Sequence, residues 1–278
     1  MAVYRGMDIG TAKPTPSQRA RVRFHLLDCV GPEESYSLAR FLDEARAAVA
    51  AIYRRGRLPI VCGGTGLYVS ALLRGYSLVP QDPVAAHSIR AELLRRLEAE
   101  GLEALVEELL ARDPEAATAV DLRNPRRVLR ALEISLLAGR PIVEARTMAS
   151  TPPFRSVCAV VVCPRPMLSR RIDERVEAML AAGWLDEVRR LLQEYGSARS
   201  FRDAIGYSRL AAYLRGEMRW EDAVAAIKRE TRRYAKRQLT WWRRDTRAWW
   251  MAWETPLDFR TIAVHLIRTA RTLRGGRD

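Results

Sequence analysis

Apolar residues in the first third of the chain recur at helical spacing and then form one short continuous run. Between Ser35 and Arg55 they fall every three or four residues, and Gly56 follows as a stop signal, so this segment is predicted to be a helix. Leu58 to Cys62 is a continuous apolar run, typical of a parallel strand covered on both faces. It ends at Gly63 and Gly64, and helical spacing then resumes. This order of elements predicts an α/β fold.

The middle of the chain has a purely helical pattern. From about Val84 to Ala149 no run favours a strand, and Asn124 and Gly139 stand where a helix would begin and end. We therefore expect an all-helical insertion at 84–154, between two parts of one α/β core at 1–83 and 155–278.

The last third of the chain contains both strand-like and helical patterns of apolar residues. Val157 to Cys163 is rich in β-branched residues and predicts a strand, as does Ala248 to Trp253. Helical spacing between them predicts long helices at Met167 to Ala182 and Trp220 to Arg243.

Charge adds a partner class to this picture. The 278 residues include 47 basic and 33 acidic side chains, a formal net charge of +14 that favours a polyanionic partner such as nucleic acid. The alternative is an arginine-rich composition with no such partner, because Lys occurs only at Lys13, Lys228 and Lys236. No apolar run approaches the roughly 20 residues of a membrane helix, and the N-terminus lacks a secretory pattern, so we expect a cytoplasmic protein without a membrane partner.

The four cysteines favour no metal site. They form no C-x-x-C pair, and three of them lie in or beside apolar stretches, which indicates buried reduced thiols in place of a disulfide or zinc framework.

Two glycine-containing segments are candidates for a ligand site. In the segment Tyr4 to Pro14, Gly6 and Gly10 permit tight turns beside a carboxylate, a hydroxyl and a cation, although the spacing of a Walker A loop is absent throughout the chain. Thr65 follows two glycines at the predicted carboxyl end of a strand, where open α/β sheets bind ligands. The alternative for Thr65 is a helix-capping residue in an ordinary turn.

Two arginines one helical turn apart suggest an anion site. Arg171 and Arg175 share a helix face, a spacing suited to clamping a diphosphate. The alternative is that they form solvated surface pairs with Asp173, Glu174 and Glu177.

A strongly basic helix follows near the C-terminus. Its basic residues lie three or four positions apart and are interleaved with aromatic residues, which favours contact with RNA over a merely solvated face. They are Arg229, Arg232, Arg233, Lys236 and Arg237.

Taken together, these segments resemble the tRNA dimethylallyltransferases, also called tRNA isopentenyltransferases. The matching stretches are YRGMDIGTAKP, LPIVCGGTGLYVSALLRG, NPRRVLRALE, RIDERVEAMLAAGWLDEV, AIGY and RRYAKRQLTWWRR. The resemblance implies an α/β parallel-sheet core like that of P-loop NTPases, with the helical insertion contacting tRNA. It also implies transfer of a dimethylallyl group from dimethylallyl diphosphate, with Mg²⁺, to the exocyclic amine of the adenosine 3′ of the anticodon.

The resemblance assigns roles to residues of this chain. Thr65 matches a threonine near the reacting adenine, and Arg171 and Arg175 match a helix that we assign to the diphosphate. The implied partner is the anticodon stem-loop of tRNA, bound by a protein that we expect to be a monomer. The residues implied to contact tRNA are Arg90, Arg126, Arg127, Arg130, Asp203, Gly206, Tyr207, Arg232, Arg233, Lys236 and Arg237.

The chain departs from the family pattern at its start. The family opens with a strand, a G-P-T-x-S-G-K-[ST] phosphate loop and an A-D-S segment whose Asp is the proposed general base, and all of these would precede Met1. The first strand and phosphate loop are therefore absent from this sequence. We expect that Met1 is an internal methionine of a product about 35 residues longer, and that the chain as written is inactive or nearly so until those residues are restored.

Two other functions stay open from the sequence. A gene fragment would act as a non-catalytic tRNA-binding protein through its basic helix and insertion. A related enzyme class prenylates free adenine nucleotides, but a mononucleotide needs neither a helical insertion nor an extended basic face.

Overall fold

The computed structural model describes residues 1–76, 83–142 and 152–275, which form a mostly helical chain with a small parallel sheet. None of the helices within those ranges is both long and apolar enough to cross a bilayer. The helices before the first strand are α1 (Pro16–Arg21), α2 (Leu38–Arg54), α3 (Gly66–Arg74), α4 (Pro83–Arg112), α5 (Ala116–Ala119) and α6 (Pro125–Ala138). The later elements are β1 (Cys158–Val162), α7 (Arg165–Ala181), α8 (Trp184–Tyr195), α9 (Arg199–Asp203), α10 (Tyr207–Leu214), α11 (Trp220–Trp242), β2 (Ala248–Ala252) and α12 (Pro256–Gly275).

The chain divides into two compact units. The core unit comprises Met1–Ser70 and Arg155–Asp278, and the helical unit comprises Ala71–Phe154. The predicted helical insertion, 84–154, falls within the helical unit, although 143–151 lie outside the described residues.

The two strands of the core unit pair in parallel. Cys158 is opposite Ala248 and Val162 is opposite Ala252, and the Trp253 amide extends the ladder by donating to the Val162 carbonyl at 2.6 Å. Both predicted strands in the last third of the chain are therefore confirmed. Because parallel strands end at the same edge, the start of α7 and Trp253 lie together at the carboxyl edge of the sheet.

The run from Leu58 to Cys62 is not a covered strand, so that prediction was wrong. Within the described residues it belongs to no strand ladder, and Ile60 is 80% exposed. An apolar run becomes a buried strand only where a neighbouring strand pairs with its backbone and other layers cover its faces. The described ladder joins only β1 and β2, so the side chains of Leu58 and Val61 also remain exposed.

The core of the core unit lies among α7, α8, α10 and α11. Trp184, Tyr207, Leu210 and Ile227 are buried there, and Met7 of the N-terminal segment packs into the same cluster. The N-terminal segment is thus attached to helices that follow it by almost 200 positions in the chain.

The helical unit is built mainly on the two segments of α4 and on the capped helix α6. Gly101 interrupts α4 with a φ of 84°, a left-handed value that glycine adopts without strain. The predicted ends of α6 are confirmed, because the Asn124 side chain accepts from the Arg126 amide and Gly139 closes the helix with a φ of 63°. Leu93, Leu105 and other apolar side chains of α4 pack against α6 to form a separate core.

Candidate functional site

Thr65 lies in the turn that starts α3. Its carbonyl accepts from the amides of Tyr68 at 3.0 Å and Val69 at 3.2 Å, so the residue does begin the helix. Its side chain is exposed. The backbone therefore serves the turn, while the hydroxyl stays available to a ligand.

The glycines on either side of Thr65 lie directly against α11. A Cβ added to Gly66 would be 2.2 Å from Cδ1 of Trp241, and one added to Gly64 would be 1.7 Å from Nε2 of Gln238. Trp241 also donates from Nε1 to the Ser70 hydroxyl at 3.1 Å. Gly66 is needed here because a side chain would displace the Trp241 ring and push α11 away from the Thr65 turn, whereas a side chain at Gly64 would displace only the end of the flexible Gln238 side chain.

Gln238 and Trp241 therefore join the candidate site, although no local sequence pattern assigns them to it. Trp241 is 39% exposed while its neighbour Trp242 is buried. In the sequence, two adjacent tryptophans on a helix indicate only that one of the two rings packs inward. The contact of Trp241 with Gly66 shows that the Trp241 ring is the one beside Thr65.

The predicted basic face of α11 is present, with one exception. Arg229, Arg233, Lys236 and Arg237 are exposed. Arg232 is turned toward α7, where it forms an ion pair with Asp173. Since Arg237 precedes Trp241 by one helical turn, the basic face reaches the Thr65 turn at that position.

Arg171 and Arg175 do not form the surface pairs that were the alternative to a diphosphate site. Each acid in question contacts another cation: Asp173 binds Arg232, Glu174 lies 3.7 Å from Arg170, and Glu177 binds Lys228. Both arginines are exposed, and neither forms an ion pair with the described residues.

Arg171 is held at the carboxyl edge of the sheet. Its guanidinium lies 4.3 Å from the centre of the Trp253 ring, a cation–π distance. Trp253 follows β2 and Arg171 lies in the second turn of α7, which follows β1. Ligands of open α/β sheets bind beyond this edge, so Arg171 lies where an anionic ligand is expected, and Arg175 follows it one helical turn later.

The AIGY segment is a buried support. Gly206 has a φ of 89°, and Tyr207 is fully buried with its hydroxyl donating to Glu187 at 2.7 Å. Burial and the nearby Glu187 carboxylate raise the pKa of Tyr207, so it stays a protonated donor. Asp203 is exposed and lies 3.4 Å from Arg199.

Glu187 joins this segment to the N-terminal loop. Its carboxylate accepts from the backbone amides of Asp8 and Ile9, both at 2.8 Å, and of Gly10 at 3.3 Å. The Trp184 ring packs against Gly10 of the N-terminal loop and Gly206 of the AIGY segment. A Cβ added to Gly10 would lie 2.0 Å from the ring, and one added to Gly206 would lie 2.2 Å from it.

The sequence contains one signal for Glu187, which is its place among apolar residues of α8. The buried positions of α8 are Trp184, Glu187, Val188 and Leu191, at helical spacing. A carboxylate on such an apolar stripe requires hydrogen-bond donors from elsewhere in the fold.

The arginines of the helical unit differ in their surroundings. Arg90 and Arg130 both bind the buried carboxylate of Glu133, at 3.0 and 2.6 Å. Arg127 is 3.2 Å from Asp121. The side chain of Arg126 is exposed, and within the described residues it forms no ion pair. The tRNA-contact residues predicted from the sequence are therefore distributed over both units.

The described residues contain no group of three His, Cys, Asp or Glu side chains placed to hold a metal ion. Magnesium in phosphate-transfer sites commonly uses only one or two carboxylates together with substrate phosphates, so the expected Mg²⁺ stays a prediction.

Comparison with known proteins gives one consistent family. Residues 2–245 match the family model described as IPP transferase. The chain is 43% identical over 272 residues to the tRNA dimethylallyltransferase of Symbiobacterium thermophilum, covering 98% of this chain and 85% of that protein. It is 46% identical over 243 residues to the tRNA dimethylallyltransferase of a Roseiflexus species, covering 87% and 79%.

Solved structures agree with the sequence relatives. The full-length tRNA isopentenylpyrophosphate transferase of Bacillus halodurans matches with a TM-score of 0.68 and 37% identity, covering 98% of this chain and 86% of that one. A eukaryotic dimethylallyltransferase acting on tRNA matches with a TM-score of 0.79 and 26% identity, covering 98% and 71%.

Proposed function

Because this chain belongs to the IPP transferase family, we propose that it transfers a dimethylallyl group from dimethylallyl diphosphate to the exocyclic amine of the adenosine 3′ of the anticodon in tRNA. The observation that carries the proposal at the level of the site is the contact between the Thr65 turn and α11. It places an exposed hydroxyl beside a helix whose outer face is basic. An adenosine approaching Thr65 would bring its RNA backbone toward Arg237 and Lys236.

The reaction is an alkyl transfer between two bound substrates. The amine nitrogen forms a bond to the allylic carbon, the bond from that carbon to the diphosphate oxygen breaks, and the diphosphate leaves with the electron pair. The amine then loses one proton to a base. Holding both reactants in line supplies much of the rate, and cations at the leaving oxygens supply more.

The side chains take separate parts in this scheme. Arg171 and Arg175 bind the diphosphate and neutralise the charge that develops on it, from the carboxyl edge of a P-loop-like core. Thr65 hydrogen-bonds the adenosine. The exposed arginines and Lys236 of α11 bind RNA phosphates, as do the arginines of the helical unit. Asp203, which is exposed, contacts the RNA, while Gly206 and Tyr207 are buried and support the segment that carries it. We expect the reaction to take place in the cytoplasm.

The activity is tested with the complete gene product, dimethylallyl diphosphate and an anticodon stem-loop RNA. We expect the RNA to gain the mass of one dimethylallyl group when adenosine follows the anticodon. A stem-loop with guanosine at that position is the control and should not react. Modification of free AMP in preference to the stem-loop would contradict the proposal, and RNA binding without any transfer would favour the non-catalytic alternative.

The diphosphate assignment has a matched pair of variants on one helix. Arg171→Ala should lower kcat/KM for dimethylallyl diphosphate on the order of tenfold to a hundredfold, because a charge-assisted contact to the leaving group is lost. Arg170→Ala removes an equal charge from the next position, where the side chain faces Glu174 at 3.7 Å, and should leave kcat/KM almost unchanged. Equal effects of the two substitutions would show that Arg171 contributes only general charge.

A further inference from the structure

An open groove with arginine walls lies at the beginning of α11, away from the Thr65 turn. It has a volume of about 680 Å³ and lies wholly within the core unit, between α10 and the first half of α11. Its charged lining residues are Arg209, Glu217, Arg219, Asp222, Arg229, Glu230 and Arg233.

The acids of the groove are largely neutralised by specific partners. Arg209 donates two hydrogen bonds to Glu230, at 2.8 and 2.6 Å. Glu217 accepts from Arg215, which lies outside the groove. Both acids are therefore compensated before any ligand binds.

Three guanidinium groups of the groove have no such compensation. Arg219, Arg229 and Arg233 are exposed and form no ion pair within the described part of the chain. Asp222 is the one lining acid that faces them without a compensating ion pair among the described residues. The groove thus presents an excess of positive charge in a concave surface, which concentrates anions.

The groove continues into the basic face of α11. Arg229 and Arg233 are one helical turn apart, and Arg237 follows one turn later. At 1.5 Å per residue, Arg229 lies about 14 Å along the helix from Gln238, which borders the Thr65 turn. A single polyanion could therefore contact the groove and the site end of α11 together.

The lining chemistry indicates what kind of anion fits. No aromatic side chain lines the groove, and Met218 and Ala226 are its apolar members. It therefore offers no ring to stack on a base and no enclosed apolar wall for a prenyl chain. Arginines of this kind bind phosphate groups and position a nucleic acid without reading its sequence.

We propose that this groove binds phosphodiester groups of the RNA substrate, a few nucleotides from the adenosine that is modified. The proposal rests on the proposed function; it adds Arg219 to the RNA-binding surface and assigns Arg229 and Arg233, already among the exposed arginines of α11, to this groove. Arg209 acts indirectly, by holding Glu230 away from the incoming phosphates.

The test is the salt dependence of stem-loop RNA binding by the complete gene product. Arg219→Ala and Arg229→Ala should each weaken RNA binding by roughly threefold to tenfold. Each should also reduce the magnitude of the slope of log K against log salt by about 1, the value expected for one lost phosphate contact. Arg229→Lys should keep most of the slope because it keeps the charge. Arg189→Ala on α8, an exposed arginine bound to Asp186, removes the same charge elsewhere and should leave the slope unchanged.

The groove could instead bind a free diphosphate, which carries the same phosphate groups. Binding of inorganic pyrophosphate distinguishes this ligand from RNA. Pyrophosphate binding that disappears in the Arg219→Ala, Arg229→Ala double variant, with RNA affinity equal to that of wild type, would overturn the RNA assignment. Wild-type RNA binding with groove variants indistinguishable from Arg189→Ala would overturn the inference alone. Failure of the wild-type protein to bind the stem-loop would overturn the proposed function as well.

Discussion

At the scale of single residues, Glu187 links parts of the core unit that are far apart in the chain. It is 8% exposed and accepts from the amides of Asp8, Ile9 and Gly10 and from the Tyr207 hydroxyl. A buried carboxylate is tolerated only with such a set of donors. The shape of the N-terminal loop and of the AIGY segment therefore depends on one side chain that belongs to neither.

Glu187→Ala should destabilise the protein by about 3 kcal/mol or more, since it leaves several buried donors without an acceptor. Tyr207→Phe removes a single donor and should cost about 1–2 kcal/mol. Urea unfolding measures both. Glu194→Ala on the same helix is the control, because Glu194 is 45% exposed and its one ion pair among the described residues is with Arg190, at 3.3 Å. A Glu187→Ala midpoint equal to that of Glu194→Ala would contradict the structural role.

Asp28 predicts a pH dependence of stability. Burial alone would raise the pKa of Asp28, but hydrogen bonds from Lys13 and Arg19 outweigh it and hold the pKa below the ordinary value of 3.8. The carboxylate therefore contributes stability above its ordinary pKa, and this contribution is lost as the pH falls through the lower folded value.

Asp28→Asn should consequently lower Tm at neutral pH, and the difference from wild type should shrink on acidification below pH 3.8. Thermal melts across this range measure the effect. Asp43→Asn, which alters an exposed carboxyl of α2, serves as the reference. A Tm difference for Asp28→Asn that is constant with pH would contradict the assignment.

At the scale of elements, the approach of α11 to the start of α3 decides the geometry around Thr65. The approach is possible because Gly64 and Gly66 have no side chains, and the Trp241–Ser70 hydrogen bond fixes it. The position of α11 relative to the Thr65 turn thus depends mainly on Gly66 and on the Trp241–Ser70 hydrogen bond.

Gly66→Ala should lower kcat/KM on the order of tenfold to a hundredfold, because its methyl group would displace the Trp241 ring and shift α11 from the turn. Overpacking should also cost about 1–3 kcal/mol of stability. Gly63→Ala is the matched control, since a Cβ there meets nothing within 4 Å. Steady-state kinetics of the complete gene product provides the measurement, and equal loss in both variants would contradict the packing argument.

At the scale of the whole molecule, the net charge of +14 has two explanations with different consequences. If the charge serves RNA, stem-loop affinity should fall by at least tenfold between about 50 and 200 mM salt as counterions are released. Fluorescence anisotropy at several salt concentrations measures this. An affinity that does not change with salt would favour arginine-rich composition as the source of the charge.

Many features of the chain followed from its sequence alone. The helical character of the middle of the chain, the strands β1 and β2, the caps of α6 and the basic face of α11 all rest on local spacing and local residue chemistry. The family followed from the resemblance of several segments and is confirmed. These properties are readable because periodicity and capping depend on neighbours within a few positions.

Contacts between distant segments required the tertiary structure. Leu58 to Cys62 has the composition of a covered strand, yet its burial depends on partners that composition does not reveal. The local sequence could not decide whether Arg171 and Arg175 pair with neighbouring acids, and the fold decided it by directing Asp173 and Glu177 to α11. Glu187, Gln238 and the groove at Arg229 likewise acquire a role only from long-range packing, because side-chain partners are set by the path of the whole chain and not by spacing along it.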